Sequence, residues 1–228
     1  MFLVSPIVSA SGTSAQGSFV KIDGRVCAIE EPTFCIPDDE IATIKKYSKG
    51  RIILGVNGNN IYVTKRALYY FPMNDQWRRI ELNTQKLRRL NSSHFTDGTS
   101  YFYNGLSSMR GIERIGSVSE GKLKLFSYGV SALKSKLFYH GVEMSGYNPE
   151  KISISQHQIT ESAGKYNLTL LWYDSVILLE SENGFYKISG IDRASFKVID
   201  MNTFEDKNKK YFIEYGPYVV ENVEIIMK

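Results

Sequence analysis

Residues 204–216, FEDKNKKYFIEYG, place a charged turn directly before an aromatic strand. The polar residues 206–209 are typical of a turn, because their side chains reach water and can hydrogen-bond the exposed backbone. Residues 210–213 carry aromatic and branched side chains that pack well on one face of a pleated strand. The stretch therefore predicts a β-hairpin in which one short unit sets both the register and the buried face.

Similar units recur upstream. Residues 93–105, SHFTDGTSYFYNG, place an Asp-Gly turn before an aromatic strand and the pair Asn104–Gly105 as the next turn, and residues 134–139 place Lys-Ser-Lys before Leu-Phe-Tyr. Fainter copies follow the Asn-Gly pairs at 57–58 and 183–184. Asn-Gly and Asp-Gly tolerate the positive φ that a type I′ turn requires, so each copy predicts a hairpin. Aligned on their aromatic strands, the copies are marked by Tyr62, Phe102, Phe138, Tyr186 and Phe212.

Several hairpins can share one apolar layer, whereas a single hairpin is marginally stable in water. The repeats therefore predict an all-β or β-rich fold over residues 56–228, with four or five hairpins in a propeller-like or solenoid-like meander. Residues 1–55 form an N-terminal segment, either separate from this domain or continuous with it. A short helix is predicted near residues 38–49, which begin with three acids and precede Gly50. Residues 78–93 predict a strand followed by a short turn of helix.

The composition agrees with short strands and tight turns. The chain has 15 Tyr, 12 Phe and 18 Gly but only 6 Pro, and 43% of its residues are hydrophobic, which is enough for a packed core. Its 28 basic and 24 acidic residues are mixed along the sequence, so the formal charge of +4 does not require nucleic acid or another polyanion as a partner. No stretch reaches the roughly 18 apolar residues that a membrane span needs.

Two interpretations fit the N-terminus. Residues 2–8 are apolar, and the small residues after them offer signal-peptidase sites near Ala10 or Ala15. The segment lacks a basic start, however, and Pro6 interrupts the apolar run. It is therefore either a cleaved signal peptide or an ordered first strand.

The two cysteines also leave two interpretations open. Cys27 and Cys35 lie eight positions apart in CAIEEPTFC, close enough for a disulfide-closed loop across Pro32 in an oxidising compartment. Two reduced core thiols fit the same sequence. The sequence predicts no metal or cofactor, because it has no second cysteine pair, its three histidines are scattered, and cations interrupt the acidic turn at 206–209 where calcium needs oxygen ligands.

A linking block before the terminal hairpin makes the pattern more specific. Residues 190–216, GIDRASFKVIDMNTFEDKNKKYFIEYG, resemble the DKNYY family of bacterial repeat proteins, in which a D-K-N-x-x-Y-F unit with a following Tyr-Gly is joined to its neighbour by an Asp-x-x-Ser/Thr-Phe-x-Val block. A second match covers residues 128–154, with Ile152 in place of the Phe. The copies near Asp97 and Asn183 are degenerate, and the first 55 residues do not match.

The resemblance implies a bacterial, often exported protein without an enzymatic role. Because some relatives are encoded beside secreted toxins, it implies more specifically an immunity protein that binds and neutralises a cognate toxin or effector. Two alternatives remain: an envelope structural or surface-exposed repeat protein without a toxin partner and, more distantly, a hydrolase with an unrecognised site. The compartment is the periplasm or the cytoplasm, and a bridged cysteine pair favours the periplasm.

No catalytic residue is predicted. The chain has no G-x-S-x-G nucleophile motif and no glycine-rich phosphate loop. His140 is expected in a turn, His157 on an exposed strand and His94 at a strand edge. The acids at 38–40 are explained by helix-start electrostatics, and Glu180 with Glu182 by a solvated strand face.

The densest positive region is the candidate for partner binding. It combines an aromatic residue with nearby arginines, as many binding surfaces do. A charged sheet edge that blocks unwanted strand pairing explains the same residues without a ligand. Nucleic acid is disfavoured, whereas an acidic protein partner can use such a patch for steering. The predicted partner-binding residues are Trp77, Arg78, Arg79, Arg88 and Arg89.

Overall fold

The structure, a computed structural model, describes residues 19–29, 31–46, 61–70, 76–105, 111–127, 129–161, 164–181, 184–215 and 220–227. Its contacts divide the chain into two compact units. The first contains residues 1–123 with 140–142, and the second contains residues 124–139 with 143–228. The N-terminal stretch, predicted to be either a signal peptide or a first strand, lies outside the described residues up to residue 18.

Antiparallel sheets form nearly all of the regular structure. The hairpin of β1 (Phe19–Ile22) and β2 (Arg25–Ala28) comes first. Five four-stranded sheets follow within the described ranges, and in each the strands pair in chain order. The predicted all-β class and the meander of hairpins are confirmed, while the propeller-like or solenoid-like arrangement stays a prediction.

The five sheets have the following strands. Sheet 1 contains β3 (Lys45–Lys46), β4 (Ile61–Val63), β5 (Ala67–Tyr70) and β6 (Arg78–Glu81). Sheet 2 contains β7 (Arg88–Arg89), β8 (His94–Thr96), β9 (Ser100–Gly105) and β10 (Gly111–Ser117). Sheet 3 contains β11 (Lys124–Leu125), β12 (Val130–Leu133), β13 (Lys136–Tyr139) and β14 (Val142–Glu143). Sheet 4 contains β15 (Ile152–Glu161), β16 (Gly164–Tyr173), β17 (Val176–Ser181) and β18 (Gly184–Ile188). Sheet 5 contains β19 (Lys197–Val198), β20 (Thr203–Glu205), β21 (Lys209–Tyr215) and β22 (Val220–Met227).

The aromatic strands lie on ladders, but not all at the same place in their sheets. Phe102, Phe138 and Phe212 lie on third strands, as expected for one repeat. Tyr62 lies on a second strand and Tyr186 on a fourth, so the alignment through the Asn-Gly pairs was out of phase. Asn57–Gly58 lies outside the described residues, and Asn104–Gly105 ends β9 instead of forming a turn. The equivalent turns between second and third strands begin at Thr64, Asp97, Lys134, Asp174 and Asp206.

One polar side chain closes the turn in three of these sheets. Asp206 Oδ1 accepts hydrogen bonds from the backbone N–H groups of Asn208 at 2.7 Å and Lys209 at 2.8 Å. Asp97 Oδ1 does the same for residues 99 and 100, at 2.8 and 2.7 Å. Thr64 Oγ1 accepts from residues 66 and 67, at 3.3 and 3.0 Å. The polar turn therefore satisfies its own backbone, as the sequence predicted.

The linking block also recurs. Asp192 Oδ1 accepts a hydrogen bond from the amide two residues later, and Asn83 and Asn148 do the same at the start of their 3₁₀ turns. Residues 82–89, LNTQKLRR, are thus a copy of the block IDRASFKV, with Arg88–Arg89 at the strand positions of Lys197–Val198. The strand and helical turn predicted within residues 78–93 are confirmed as β6 and the 3₁₀ turn Thr84–Lys86.

Apolar side chains pack between neighbouring sheets within each unit, because alternate residues of a strand face opposite sides. One cluster packs the β1–β2 hairpin on sheet 1 and buries Phe19, Val26, Ala28, Ile36, Tyr62, Ala67, Tyr69 and Trp77. A second packs sheet 1 on sheet 2 and buries Ile61, Val63, Leu68, Tyr70, Leu82, Phe95, Phe102 and Ile112. A third packs sheet 3 on sheet 4 and buries Phe126, Val130, Ala132, Leu137, Tyr139, Ile152, Leu171 and Leu178. A fourth packs sheet 4 on sheet 5 and buries Leu170, Trp172, Ile177, Leu179, Ile188, Ile191, Phe204, Tyr211 and Ile213.

The predicted helix near residues 38–49 is much shorter in the structure. Helix α1 spans Asp38–Ile41, and the chain then enters β3, where Lys45 and Lys46 pair with β4. The ladder with β4 competes with the helical pattern and prevails, and residues 47–49 lie outside the described part of the chain. Because β3 and β4 belong to one sheet, the domain boundary that the sequence suggested near residue 55 falls between two paired strands.

The cysteine pair forms a disulfide. Cys27 lies on β2 and is joined to Cys35, and two backbone hydrogen bonds flank the bridge, from Ala28 N to Phe34 O at 3.0 Å and from Ile36 N to Val26 O at 2.8 Å. The bridge closes the small loop that leads from β2 to α1. Among the described residues, no helix has the length and apolar character to cross a membrane.

Candidate partner-binding surface

Trp77 belongs to the core. Only 3% of its surface is exposed, and its ring centroid lies 4.5 Å from that of Phe19 and 6.1 Å from that of Phe34, which is stacked on it. A side chain enclosed in this way cannot act as an exposed anchor for a partner. Its assignment as a partner-binding residue is corrected: the tryptophan contributes hydrophobic burial between the β1–β2 hairpin and sheet 1.

Arg79 is also committed to the interior of the first unit. Its Nη2 contacts Glu40 Oε1 at 2.5 Å, its Nη1 contacts Glu81 Oε1 at 2.8 Å, and its Nε donates to the hydroxyl of Tyr69 at 3.1 Å. Its side chain is 27% exposed, whereas that of Glu40 is 4% exposed. Arg79 is therefore the counter-ion of a buried carboxylate, and truncating it will disturb folding as well as any surface.

Glu40 receives three hydrogen-bond donors. Burial raises the pKa of its carboxyl, but hydrogen bonds from Thr64, Arg79 and Tyr69 outweigh that effect and hold the pKa below its usual value. Burial in turn raises the pKa of Tyr69 to about 12. Burial lowers the pKa of Arg79, but its bonds to Glu81 and Glu40 raise it overall, so it stays protonated. The acids at 38–40 were assigned to helix-start electrostatics, and the structure corrects this for Glu40, which turns inward.

Arg78, Arg88 and Arg89 are exposed, but they lie on two sheets. Arg78 is on β6, the outermost strand of sheet 1, where it lies opposite Tyr70. Arg88 and Arg89 form β7, the outermost strand of sheet 2, and Arg89 Nε donates to the carbonyl of Asn91 at 2.8 Å. All three occupy edge strands, which is the arrangement expected of charges that discourage pairing with other chains. The predicted partner-binding arginines therefore divide into three exposed residues on edge strands and Arg79, which pairs with the buried Glu40.

A cleft whose lining contains three cations, called here the cationic cleft, lies on the first unit beside Arg79. It has a volume of about 560 Å³ and opens widely to solvent. Two exposed cations at the tip of the β4–β5 turn line it, Lys65 and Arg66, and Arg66 Nη1 contacts Asp39 Oδ2 at 2.9 Å. Arg66 and Arg79 are ion-paired with carboxylates, so Lys65 is the cation of the lining that has no ion pair among the described residues. The cleft is lined by Lys65, Arg66, Arg79, Glu81, Leu82, Asn83 and Gln85.

Sequence reasoning missed Lys65 and Arg66. The signal was present in residues 64–69, TKRALY, which match the spacing of residues 206–211, DKNKKY, with Thr64 in place of the aspartate. Alignment on the Asn-Gly pair at 57–58 placed the turn several residues too early. Correct alignment puts Lys65 at the position of Lys207, which in sheet 5 contacts Asp192 Oδ2 at 2.7 Å.

The histidines occupy structural positions. His140 lies in the turn after β13, as predicted. His94 was expected at a strand edge but is 1% exposed, and its Nδ1 lies 3.0 Å from Asn91 Oδ1. His157 was expected to be exposed but is half-buried, with its Nε2 2.8 Å from Ser155 Oγ, which also accepts a hydrogen bond from Trp172 Nε1 at 2.9 Å.

Acid clusters give no sign of a metal site in the described ranges, where no three His, Cys, Asp or Glu side chains converge. Glu180 lies on β17, and Glu182 lies outside the described residues. Comparison with known proteins adds no assignment: no family model matches the chain, and neither a curated protein nor a solved structure is detectably similar to it.

Proposed function

We propose that this protein is a non-catalytic module that binds an acidic surface of another protein, and that its partner is a cognate bacterial toxin or secreted effector. The observation that carries the proposal is the cationic cleft with its exposed Lys65, which has no ion pair among the described residues, and with Arg66, which is exposed beside Asp39. Opposite charge on the partner would accelerate association and select against wrong partners. Membership of the DKNYY family, based on residues 190–216, is part of the same proposal.

The buried polar groups support a binding role over catalysis. The carboxylates of Glu40, Asp97 and Asp206 all accept several hydrogen bonds that hold turns in place, and their pKa values lie below the usual range. A general acid or base at neutral pH needs the opposite shift for a carboxyl group, toward neutrality. These acids therefore act as fixed acceptors within the fold.

For the hydrolase alternative, whose site the sequence does not identify, the structure offers the hydrogen bond between Ser155 and His157. A nucleophilic serine needs a histidine that is itself oriented by a third group, usually a carboxylate. Among the described residues, no carboxylate bonds to His157, and Ser155 already satisfies the buried indole N–H of Trp172. We interpret the pair as a polar link at the rim of the core between sheets 4 and 5.

The envelope repeat protein is the second candidate, and genetics separates it from the first. A toxin or effector gene beside this one, whose product arrests growth unless this protein is co-expressed, supports immunity. Without such a neighbour, and without a single stoichiometric partner in a pull-down, the repeat-protein alternative is favoured.

Lys65→Glu tests the surface. Lys65 is exposed at the tip of its turn, so reversal of its charge should leave the melting temperature unchanged but weaken binding of the neighbouring gene's product about tenfold or more. Lys122→Glu is the matched control, because it makes the same charge change at an exposed position in the same unit outside the cleft. If both variants weaken binding equally, the effect comes from the net charge of the protein and not from the cleft. If neither variant weakens binding, the cleft is not the binding surface.

The Cys27–Cys35 bridge supports the periplasm as the proposed compartment. Mass spectrometry of protein from its native location under non-reducing conditions should find the two thiols joined. Free thiols in that material would contradict a periplasmic location.

A further inference from the structure

In the part of the chain that the structure describes, the outermost strands of the four-stranded sheets are protected from pairing, with the exception of β15. An open strand edge invites another strand, and short length, charge or a bulge discourages it. First strands β3, β7, β11 and β19 are two residues long, and each contains a lysine or an arginine. On the opposite edges, β6 and β18 carry cations, and the two-residue β14 carries a glutamate. The last strands of sheets 2 and 5, β10 and β22, each pair with the preceding strand through a ladder that contains a bulge.

Strand β15 lacks each of these protections. It runs for ten residues, Ile152–Glu161, and pairs with β16 at every position without a bulge. Its sequence, ISISQHQITE, contains no lysine, arginine, proline or glycine, and its single acid is the last residue. Within the described residues, no strand pairs with its other edge. Sheet 4 therefore presents a long, regular edge whose own residues are nearly uncharged. The one cation that bonds a side chain of β15 in the described contacts is Arg193, whose Nη2 donates to Ser153 Oγ at 3.0 Å.

The exposed face of this strand is also suited to a contact. Ile154 is 44% exposed, which is unusual for a large aliphatic side chain on a regular strand, and Gln156, Gln158 and Thr160 on the same face are exposed. Uncharged side chains of this kind can be covered without desolvating an ion. Both the open edge and the exposed face of β15 are therefore suited to contact with another strand.

We propose that β15 pairs with β15 of a second copy of this chain, antiparallel about a two-fold axis at Gln156, to join two copies of sheet 4 into one eight-stranded sheet. A two-fold contact of this kind uses both open edges and closes, so it forms a dimer and not a filament. The proposal does not depend on the cationic cleft, which belongs to the first unit, whereas β15 belongs to the second.

Charge selects both the occupant and the register. Lys151 immediately precedes the strand and Glu161 ends it, at equal distances in sequence from Gln156. Antiparallel pairing centred on Gln156 therefore places position 151 of each copy opposite position 161 of the other. Lys151, which also contacts Asp174 Oδ2 at 2.8 Å, then faces a residue of opposite charge at both ends of the paired strands. Registers centred one residue to either side lose both of these matches. The strand is thus complementary to itself, and only in one alignment.

The test uses the full-length chain and reciprocal charges at the axis. Sedimentation equilibrium of the wild type should give a mass that rises with concentration from 25.9 kDa toward twice that value, with a dissociation constant on the order of micromolar for an interface of about ten hydrogen bonds. Gln156→Lys and Gln156→Glu each place like charges face to face across the axis, and each should weaken the dimer about tenfold. An equimolar mixture of the two variants should regain dimerisation as a heterodimer.

Recovery in the mixture also demonstrates that both variants are folded, which circular dichroism of each variant checks independently. Thr169→Lys is the matched control, because Thr169 is exposed on β16 directly opposite Gln156, away from the open edge of β15. Two such lysines would be separated by three strand spacings, about 14 Å, which exceeds the screening length at physiological salt. A monomer at all concentrations, a dimer indifferent to both Gln156 variants, or a dimer weakened equally by Thr169→Lys would overturn the proposal.

Discussion

The hairpin turns of sheet 5 and sheet 1 have the same geometry but obtain their buried carboxylate from different places. In sheet 5, Asp206 bonds the turn amides through Oδ1 and accepts the hydroxyl of Tyr211 through Oδ2 at 2.9 Å. In sheet 1, Thr64 bonds the turn amides, and Glu40 Oε2 accepts the hydroxyls of Thr64 at 2.5 Å and Tyr69 at 2.9 Å. In both sheets the tyrosine lies five residues after the turn residue.

The two turns differ in where their buried carboxylate comes from: sheet 5 uses a residue of the turn itself, whereas sheet 1 uses a residue from another segment of the chain. Asp206 accepts hydrogen bonds from three backbone amides and one hydroxyl, all from its own sheet and linking block. Glu40 comes from helix α1, and beside its two hydroxyl donors it depends on the ion pair with Arg79. The turn of sheet 1 is therefore tied by charge to a segment outside the repeat, while these four bonds of Asp206 all come from sheet 5 and its linking block.

Removal of Glu40 should have the largest effect on stability. Glu40→Leu leaves Arg79 partly buried without its main counter-ion and removes the acceptor for Thr64 and Tyr69, so we expect a loss of about 3 to 5 kcal/mol in the free energy of unfolding. Urea denaturation at pH 7.5 measures this loss.

The double variant Glu40→Leu with Arg79→Leu sharpens the comparison. Replacement of a whole buried ion pair by apolar groups is often close to neutral, so the double variant should be more stable than Glu40→Leu alone. We expect no equivalent rescue for Asp206, because three of the donors that bond it are backbone amides, which substitution cannot remove. A double variant no more stable than the single one would mean that the ion pair is not what makes Glu40 important.

The same comparison shows what could be predicted from the sequence. The hairpin at Asp206 was predictable because the polar turn and the aromatic strand are adjacent in the chain and Asp206 bonds the amides of its own turn. The sheet 1 hairpin was placed out of phase, because Thr64 is a weaker turn signal than Asn57–Gly58 and its carboxylate is 24 residues away in sequence. A carboxylate within the turn can be recognised from the sequence. A carboxylate that comes from a distant segment, as Glu40 does for the turn at Thr64, cannot.

The predicted partner-binding surface was partly wrong for a related reason: the burial of its residues depends on distant segments of the chain. Trp77 and Arg79 were grouped with Arg78, Arg88 and Arg89 by proximity in sequence, yet alternation along β6 turns Arg79 toward Glu40 and leaves Arg78 exposed. Alternation itself is predictable, but which face is buried depends on the residues packed against it, here α1 and the β1–β2 hairpin. The cleft residues Lys65 and Arg66 required the correct repeat phase before they could be recognised.

On acidification, the stability that depends on His94 of sheet 2 should be lost at a higher pH than the stability that depends on the carboxylates. Burial and the nearby His140 lower the pKa of His94 from 6.5 to about 4, so the unfolded chain binds a proton between these values and the folded chain does not. The free energy of unfolding therefore has its highest value above pH 6.5 and falls as the pH drops toward 4. The loss is about 2 kcal/mol at pH 5 and about 3 kcal/mol once the pH is below 4. The carboxylates have lowered pKa values, so their contribution is lost only at lower pH, as it falls through and below their unfolded values near 4.

His94→Phe is the control for this loss. Asn91 Oδ1 keeps its bonds from the backbone of Ser93 and His94 in this variant, and the ring retains its packing on Tyr103. Urea denaturation at pH 7.5 and pH 5 should show a much smaller difference for the variant, to which His157 still contributes through its lowered pKa. An unchanged difference would assign the acid sensitivity to other groups.

Loss of the tyrosine hydroxyls should give the smallest effect and compares the two turns most directly. Tyr211→Phe removes one donor from Asp206 Oδ2, which keeps the backbone N–H of Asp192, so we expect a loss of about 1 kcal/mol. Tyr69→Phe removes a donor from Glu40 and also the acceptor of Arg79 Nε, so it should cost more, about 2 kcal/mol. Thermal denaturation of both variants under one buffer ranks them, and a larger loss for Tyr211→Phe would contradict the view that the imported carboxylate makes sheet 1 the more interdependent of the two turns.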